Sequence, residues 1–243
     1  MLAHFRNRDR ERHIAHMFGR IARRYDRLNT IMTAGRHYAW RRLATDFVCA
    51  GEMRGPAIDV ATGTGDFAIE LARRPDVSEV VGVDFTPQML PIASQKTKES
   101  GLDGCVQYVM GDAHVLPFFD NIFVAATVGF GVRNFVDVPM AVAETARVLK
   151  PGGRIAILEI VLPEPGRILT RLFALFFRRL TPWIGAMFAS DKEAYAYLPD
   201  SVQGFLTGGE LAHVVREAGF CQVAVKQMAL GSVAIVVGEK MGD

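Results

Sequence analysis

The sequence predicts an α/β protein with a doubly wound, mostly parallel sheet of seven strands. Apolar runs alternate with helical patterns along most of the chain, and the last two runs flank a short turn at 230–232, as in a hairpin. The predicted strands cover residues 56–61, 79–84, 105–110, 121–128, 154–160, 222–229 and 231–238.

Helices are predicted in the gaps between these strands. One begins at Pro87, a second covers 139–149, and a third covers 209–218 and ends at Gly219, a typical carboxy-terminal cap. Internal repeats and low-complexity segments are absent from the sequence. We therefore predict a single domain over 1–243.

Two regions do not follow the alternation: an amino-terminal arm at 1–55 and a segment at 163–208. The predicted ligand-binding core is 56–162, and 209–243 supplies the final helix and hairpin. Ligands of open α/β sheets bind beyond the carboxyl ends of the strands, where additions usually form the substrate pocket or its lid. We expect a basic helical lid from the arm and a substrate-lid insertion from the second segment.

Composition and charge narrow the class of protein. The chain has 243 residues, of which 50% are hydrophobic, enough for one sizeable core. It contains no run of about 18 apolar residues without charge and begins without the apolar core of a signal peptide, so we expect a cytoplasmic protein. The three cysteines and six histidines show no metal-ligand spacing, so we expect neither disulfides nor a bound metal.

The net charge of +2 hides an asymmetry. Residues 1–42 contain eleven arginines and three acidic residues, a net charge of +8, and the remainder of the chain carries −6. Such an arm could contact nucleic acid, anionic lipid or only solvent. Because the arm has no RNA-binding signature and no aromatic interleaving, we expect no nucleic-acid partner. A homodimer is compatible with the sequence.

A glycine-rich turn is the most informative motif. The segment Asp59–Asp66 follows an apolar run and opens a helical pattern, and its Gly63 and Gly65 would allow a backbone to approach a nucleotide-like ligand closely. Asp84, at the end of the next apolar run, suits a ribose diol. These residues alone are compatible with a dinucleotide as well as with other adenosine ligands.

Later motifs separate these alternatives. Asp112 follows the third predicted strand, and Gly152–Gly153 precedes the fifth. This series resembles the Rossmann-like class I S-adenosylmethionine-dependent methyltransferases, whose corresponding acids hold the ribose and the adenine amino group. A positively charged sulfonium also tolerates the acidic lining of Asp59 and Asp66 better than a pyrophosphate does. The methyl donor is therefore favoured over NAD.

More specific motifs lie in the arm and after the fourth strand. They are Tyr25–Asn29, Met32–Thr33, His37–Trp40, Phe130–Asp137, Arg147–Gly153, Ile184–Gly185, Asp191 and Tyr195–Ser201. With them the chain resembles, from residue 17 to 238, the UbiE/MenG family, whose members methylate a ring carbon of ubiquinone and menaquinone precursors. Three positions depart from that pattern: Gly129 and Val161 stand where Ser is expected, and Val236 lies where a His-Arg or His-Lys pair is usual.

The resemblance implies site residues in three groups. S-adenosylmethionine is expected at Asp59, Gly63, Thr64, Gly65, Asp84, Phe85, Asp112 and Ala113, and the substrate at Tyr25, Trp40, Tyr195 and Tyr197. Arg133 would stabilise a developing phenolate with Asn134 positioning it, because a guanidinium stays protonated and cannot act as a base. The candidate bases are His37 and Asp191. Simpler readings stay open: helix capping for Asp84 and Asp112, a surface ion pair for Arg133, and packing near Trp40 for His37.

The expected reaction is C-methylation of a prenylated quinol. On a helical wheel, residues 167–183 place Arg167, Arg171 and Arg178 in one stripe beside Phe173 and Phe176, as expected of a helix that lies on an anionic membrane surface or of an ordinary lid helix. Peripheral contact with the inner face of a membrane is therefore one expectation. Two other functions stay open: methylation of another small aromatic or polyketide-like substrate, and a non-catalytic scaffold of the quinone pathway.

Overall fold

The computed structural model describes residues 2–50, 53–163, 197, 201–202 and 204–242, with side chains from residue 13 onward. Its strands are β1 (Gly55–Val60), β2 (Val77–Asp84), β3 (Val106–Met110), β4 (Phe123–Gly129), β5 (Leu149–Ile160), β6 (Phe220–Met228) and β7 (Val233–Lys240). The helices are α1 (Leu2–Thr33), α2 (Arg36–Val48), α3 (Asp66–Ala72), α4 (Leu90–Glu99), α5 (Val138–Val148) and α6 (Gly208–Glu217).

The strands form one sheet in the order β3-β2-β1-β4-β5-β7-β6. β1 to β5 pair in parallel, and β7 lies antiparallel between β5 and β6. The predicted fold class is confirmed. The order reverses between β1 and β4, so the cleft beyond the carboxyl ends of these two strands is the expected position of a ligand site.

β5 differs from its predicted start. It begins at Leu149, five residues before the predicted position, and Phe123 of β4 pairs with Leu149 while Ala125 pairs with Arg154. The intervening residues form an irregularity in the register, in which Gly152 has φ +77. A glycine in this conformation lets a strand absorb extra residues and continue, so the two glycines expected before the strand lie inside it.

The core lies on both faces of the sheet. Alternate residues of the central strands point to opposite faces: in β5, Ile155 and Ile157 pack with α5 and α6, whereas Ala156 and Leu158 pack with α2 and α3. All four are completely buried. This explains why the central strands have nearly continuous apolar runs, as expected of a parallel sheet covered on both sides.

The amino-terminal arm is helical, as predicted, but its two helices have different positions. α2 buries Ala44 and Val48 in the core with α3, so it is one of the helices that cover the sheet. The helices are joined at Ala34 (φ +50) and Gly35 (φ +73). α1 buries a stripe that includes Ile14, Met17, Ala22 and Leu28. Only α1 can therefore have the role predicted for a lid.

Most of the predicted insertion at 163–208 lies outside the described residues. This part includes the amphipathic stretch at 167–183 with its arginine stripe, and also Asp191 and Tyr195. Within the described part of the chain, no helix has the length and apolarity needed to cross a membrane.

The departure from the family pattern at Gly129 has a packing explanation. Gly129 ends β4 next to Phe67 of α3, and a Cβ atom added at Gly129 would lie 2.6 Å from Phe67 Cδ2. Phe67 is 2% exposed and cannot move outward without opening the core. The ring of Phe67 therefore occupies the space that a serine side chain at position 129 would need.

We predict that Gly129→Ser lowers the free energy of unfolding by about 1–3 kcal/mol, because the added side chain overpacks the core against Phe67. In the double variant with Phe67→Leu, the loss in the free energy of unfolding should be smaller than the sum of the losses in the two single variants. Gly104→Ser is the matched control, since an added Cβ there meets nothing within 4 Å. Denaturant unfolding of the four variants measures the coupling, and strictly additive effects would contradict this packing explanation.

Candidate functional site

The turn after β1 is organised by a buried carboxylate. Asp59 is 1% exposed and accepts hydrogen bonds from Thr62 Oγ1 (2.6 Å), Thr127 Oγ1 (2.8 Å) and Ala68 N (3.1 Å). These bonds join the end of β1 to β4 and to the first turn of α3. Burial raises the pKa of Asp59 to about 7. Asp59 lies behind the turn and positions it, whereas the sequence placed it among the groups that contact the cofactor.

The two glycines of the turn have different neighbours. Gly65 (φ +84) lies under the ring of Tyr108, which also packs on Gly82, where an added Cβ would lie 2.6 Å from Tyr108 Cδ1. Gly63 (φ +54) is open, since the nearest atom to an added Cβ is Tyr25 Cε1 at 4.0 Å. Only Gly63 therefore presents its backbone to a ligand. Sequence reasoning missed Tyr108, whose hydroxyl contacts Thr97 Oγ1 at 2.7 Å.

Asp84 lies at the end of β2, directly opposite this turn. Its Oδ2 accepts from Gly63 N at 2.7 Å, and its Oδ1 accepts from Thr86 N at 2.7 Å. Burial raises the pKa of Asp84, although both backbone hydrogen bonds lower it. Each carboxylate oxygen can accept a further hydrogen bond, so Asp84 can bind two more donors.

A cavity lies beyond the carboxyl ends of β1 to β4 and beneath α1. It contains about 810 Å³ of empty space, counting the part open to solvent. Seven of the predicted site residues line it: Tyr25, Gly63, Asp84, Phe85, Asp112, Ala113 and Asn134. Lining residues outside the predicted set of site residues include Ile14, Phe18, Met89, His114, Phe130 and Phe135. We call this space the donor cavity, after the methyl donor that the resemblance leads us to expect in it.

Asp112 and His114 form a pair in the wall of the donor cavity. Asp112 Oδ1 accepts from His114 N (2.9 Å) and lies 2.6 Å from His114 Nδ1, while Asp137 N donates to His114 Nε2 at 3.2 Å. A neutral imidazole protonated at Nδ1 satisfies both ring contacts. The pair fixes the Asp112 carboxylate, whose side chain is 38% exposed and can accept from a ligand. The sequence could have indicated this pair, since His114 follows Asp112 by two residues just after the end of β3.

Thr64 faces away from the donor cavity and fastens α1. Its hydroxyl donates to Asp26 Oδ1 at 2.5 Å. Lys96 of α4 donates to Asp26 Oδ2 (2.7 Å) and to Asp66 Oδ1 (2.6 Å). Burial alone would lower the pKa of Lys96, but the two carboxylates raise it. This cluster joins α1, α3 and α4, and its long sequence separations explain why the sequence did not indicate it.

Arg133 and Asn134 lie in a short 3₁₀ turn, Val132–Asn134, after β4. Arg133 is 8% exposed and pairs with the fully buried Glu159 through Nη1, while its backbone N–H donates to Glu159 Oε2 at 3.2 Å. Burial alone would lower the pKa of Arg133, and Glu159 raises it. Arg133 is therefore half of a buried ion pair that holds the turn, and it does not line the donor cavity.

Asn134 does line the donor cavity, together with aromatic side chains. Tyr197 donates from its hydroxyl to Asn134 Oδ1 at 2.9 Å. Phe18 contacts Tyr25 and Tyr197 edge to face, with ring centroids 5.9 and 6.4 Å apart. Because Oδ1 accepts from Tyr197, the amide is oriented with Nδ2 available as a donor. The predicted substrate residues Tyr25 and Tyr197 are thus brought to the same end of this cavity.

His37 has the packing role that the sequence left open. It is completely buried, with Nδ1 2.5 Å from Arg41 Nη1 and Nε2 3.1 Å from Thr30 Oγ1. Burial and the Arg41 charge lower its pKa to about 4. Its Nδ1 lone pair accepts from a guanidinium, and it lies apart from the donor cavity. These features do not suit a general base. Trp40, also predicted at the substrate, lines a different and apolar cavity.

Comparison with known proteins decides the family. A model of the ubiE/COQ5 methyltransferase family matches residues 6–240. The chain belongs to this family. The predicted enzyme class, an S-adenosylmethionine-dependent methyltransferase, is confirmed by this membership.

Several curated relatives cover nearly the whole chain. A demethylmenaquinone methyltransferase of Deinococcus radiodurans is 41% identical over 96% of this chain and 94% of its own length. One of Thermus thermophilus is 40% identical over 92% of this chain and 100% of its own length. A ubiquinone/menaquinone biosynthesis C-methyltransferase of Geobacter sulfurreducens is 38% identical over 97% of this chain and 91% of its own length.

Solved structures show the same fold. An S-adenosylmethionine-dependent methyltransferase of Thermotoga maritima has a TM-score of 0.63 at 20% identity, covering 93% of this chain and 98% of that one. One of Aquifex aeolicus has a TM-score of 0.54 at 19% identity, with 78% and 84% covered. At such low identity these structures support the fold of this chain alone.

The raised pKa of Asp59 predicts a pH dependence of stability. Between its ordinary pKa of about 3.9 and about 7, the folded protein binds more protons than the unfolded chain. The stabilisation from this group is thus complete below about pH 4 and is lost as the pH rises to about 7. Asp59→Asn should remove this loss, because an amide does not titrate. Each tenfold difference in proton affinity between the folded and the unfolded protein corresponds to about 1.4 kcal/mol of stability.

The measurement is the free energy of unfolding of both proteins from pH 4 to 8. The stability of the variant relative to wild type should increase as the pH rises. In the variant the amide oxygen can accept from Thr62 and Ala68, and Nδ2 can donate to Thr127, so the fold is retained. Asp103→Asn, at an exposed position, is the control and should give a nearly constant difference. A constant difference for Asp59→Asn as well would refute the assignment.

Proposed function

We propose that this protein methylates a ring carbon of a prenylated quinol in quinone biosynthesis. The observation that carries the proposal is a single cavity whose wall contains the carboxylates of Asp84 and Asp112 together with Asn134 and Tyr25, with Tyr197 bonded to Asn134. The names of the relatives, demethylmenaquinone methyltransferase above all, support the quinol as substrate. The direct test is to incubate the protein with S-adenosylmethionine and a demethylated naphthoquinol and to detect the ring-methylated product by mass spectrometry.

The residues of the donor cavity fit S-adenosylmethionine. Asp84 has acceptor capacity for two ribose hydroxyls, and the Asp112 carboxylate held by His114 can accept from an adenine amino group. Phe85 is 41% exposed at the cavity and offers an aromatic face to the base. Gly63 leaves room for the close approach of the methionine part. When bound, S-adenosylmethionine supplies an electrophilic methyl group on a positively charged sulfur.

Asn134 and Tyr25 in the wall of the cavity suit a ring that develops negative charge. A hydroquinone carbon becomes nucleophilic when the adjacent hydroxyl loses its proton, and hydrogen-bond donors stabilise the resulting phenolate. Asn134 can donate from Nδ2. Tyr25 can donate from its hydroxyl, because burial raises its pKa and keeps it protonated, although Arg133 acts in the opposite direction. These two side chains would contact the ring.

Arg133 has a revised role in this proposal. The sequence assigned it direct stabilisation of the phenolate, but its guanidinium is neutralised by Glu159 and lies behind the turn. We therefore assign it to positioning: the ion pair holds the turn that presents Asn134 to the cavity. Asp191, the other predicted base, lies outside the described residues and stays a prediction.

The two alternative functions have less support. A non-catalytic scaffold would not need the Asn134 amide and the Tyr25 hydroxyl in the same cavity as the carboxylates of Asp84 and Asp112. A different ring substrate was suggested by the departures from the family pattern, but Gly129 is explained by Phe67. Val236 is fully buried in the core, where it pairs with Ile157 of β5. Neither departure adds a polar group to the donor cavity.

We predict that two substitutions separate donor binding from turnover. Asp84→Asn should weaken S-adenosylmethionine binding by about 1–3 kcal/mol, because one acceptor oxygen is lost. Asn134→Ala should lower the turnover number about a hundredfold, because it removes a hydrogen bond to the phenolate. The affinity for S-adenosylmethionine should stay nearly unchanged.

Calorimetric titration and single-turnover assays on a demethylquinol measure the two effects. Asp103→Asn is the matched control for the charge change. Unaltered donor affinity in Asp84→Asn would refute the placement of the donor. A near-normal single-turnover rate in Asn134→Ala would refute the placement of the ring.

We also propose that α1 and the start of α2 contact an anionic membrane surface, where a polyprenyl quinol is found. The support is a set of exposed arginines in α1 and α2, which includes Arg23, Arg27, Arg36 and Arg42. Basic residues near anionic lipid contribute about 1 kcal/mol each, and salt screens this attraction.

The protein should therefore co-sediment with vesicles that contain anionic phosphatidylglycerol, and less so as salt rises. Replacing Arg23, Arg27 and Arg36 by Gln should reduce the bound fraction at least tenfold at low salt. The control with the same change in charge replaces Arg54, Lys98 and Lys226, which are exposed elsewhere on the protein. An equal loss in both triple variants would indicate a net-charge effect and exclude a specific contact through the arm.

A further inference from the structure

A second cavity lies beyond the carboxyl end of β5, next to the junction of α1 and α2. Met32, Trp40, Ile160, Val161, Val202 and Val233 contribute to its wall. It contains about 960 Å³ of empty space, counting the part open to solvent. We call it the apolar cavity.

The two hydroxyl groups in the wall of the apolar cavity are already used. The hydroxyl of Ser232 donates to Ala229 O at 2.8 Å, and the hydroxyl of Thr33 donates to Asn29 O at 2.6 Å. Arg36 is the charged residue of the described lining, and it is exposed to solvent. A polar ligand would lose its hydration here without gaining matching partners, so the wall favours a hydrocarbon.

Phe130 lines both the apolar cavity and the donor cavity, so the two adjoin at this residue. Its backbone has φ +56, its side chain is 6% exposed, and the Arg41 guanidinium lies 5.3 Å from its ring centroid. The ring is thus held firmly at the end of β4. A molecule that passes Phe130 would have one part in each cavity.

The residues next to the cavity lining are exposed and apolar. Ile31, beside Met32, is 45% exposed, and Leu230, beside Ala229, is 53% exposed. Single exposed apolar residues are common on protein surfaces, but here two of them flank positions that line one apolar cavity. A long hydrocarbon that fills the cavity could leave it along these side chains.

We propose that the apolar cavity binds the isoprenoid tail of the quinol, with the first isoprene units beside Phe130 and the ring in the donor cavity near Asn134. This inference rests on the proposed function, because it names where that substrate's tail lies. The uncharged, branched chain of an isoprenoid matches the chemistry of the wall. Binding of the tail in the apolar cavity would position the quinol ring in the donor cavity, because Phe130 limits how far the quinol can enter.

The first experiment fills the cavity. Met32→Trp and Ile160→Trp, both at half-buried positions, should reduce kcat/KM for a quinol with several isoprene units at least tenfold more than kcat/KM for the tail-less quinol. Met140→Trp is the control, since Met140 is 48% exposed on α5. Equal effects on both substrates, or no effect on either, would overturn the proposal.

The second experiment measures tail binding without catalysis, so that it can fail separately from the proposed function. The chain has two tryptophans, and Trp183→Phe leaves Trp40 in the wall of the apolar cavity as the single reporter. Farnesol should change the Trp40 emission with saturation, and Met32→Gln in the same background should weaken this binding at least fivefold. If emission does not saturate, or if Met32→Gln binds farnesol as tightly, the tail does not bind here, even when the protein methylates a quinol.

Discussion

The contact between Lys96 and the two carboxylates of Asp26 and Asp66 holds the functional part of this molecule together. Lys96 belongs to α4, Asp66 opens α3, and Asp26 belongs to α1, so one ammonium group joins the amino-terminal helix to the turn after β1. The side chains of these three residues are 11–28% exposed, and such partly buried ion pairs are screened less by salt than surface pairs. This cluster therefore adds a charged anchor to the apolar stripe that packs α1 over the sheet.

Both cavities depend on the position of α1. Its residues Ile14, Phe18 and Tyr25 cover the donor cavity, and Met32 and Thr33 at its end line the apolar cavity. The sheet supplies the opposite wall in each case, through the strand ends and Phe130. Neither the sheet nor the helix alone encloses a ligand, so the site exists only where the two meet.

The sequence was sufficient for the fold and for predicting several residues that line the donor cavity. Periodicity located all seven strands, and acids at strand ends located Asp84 and Asp112, because strand ends determine where such side chains point. The side chains of Thr64 and His37 do not line the donor cavity. The Thr64 hydroxyl is held by Asp26, which lies 38 residues away in the chain, and the His37 ring is buried against Arg41, one turn further along α2.

Buried charge is a second limit on sequence reasoning. Asp59 and Arg133 occur in motifs that contact ligands in related folds, so their residue type suggested direct contact. In the structure each has a partner within the protein: Asp59 accepts from three hydrogen-bond donors, and Arg133 pairs through Nη1 with Glu159, which is 26 residues away in the chain. A sequence shows that a charge is present, but only the three-dimensional partners show whether a ligand can use it.

The unequal distribution of charge gives the molecule a permanent electric dipole. The first 42 residues carry +8 and the remainder −6, and α1 holds the positive end over the carboxyl edge of the sheet. In the field of any negatively charged surface, a torque turns such a molecule before contact, with its helical arm foremost. The orientation of an encounter is therefore decided by the whole charge distribution at a distance, before any single side chain touches the surface.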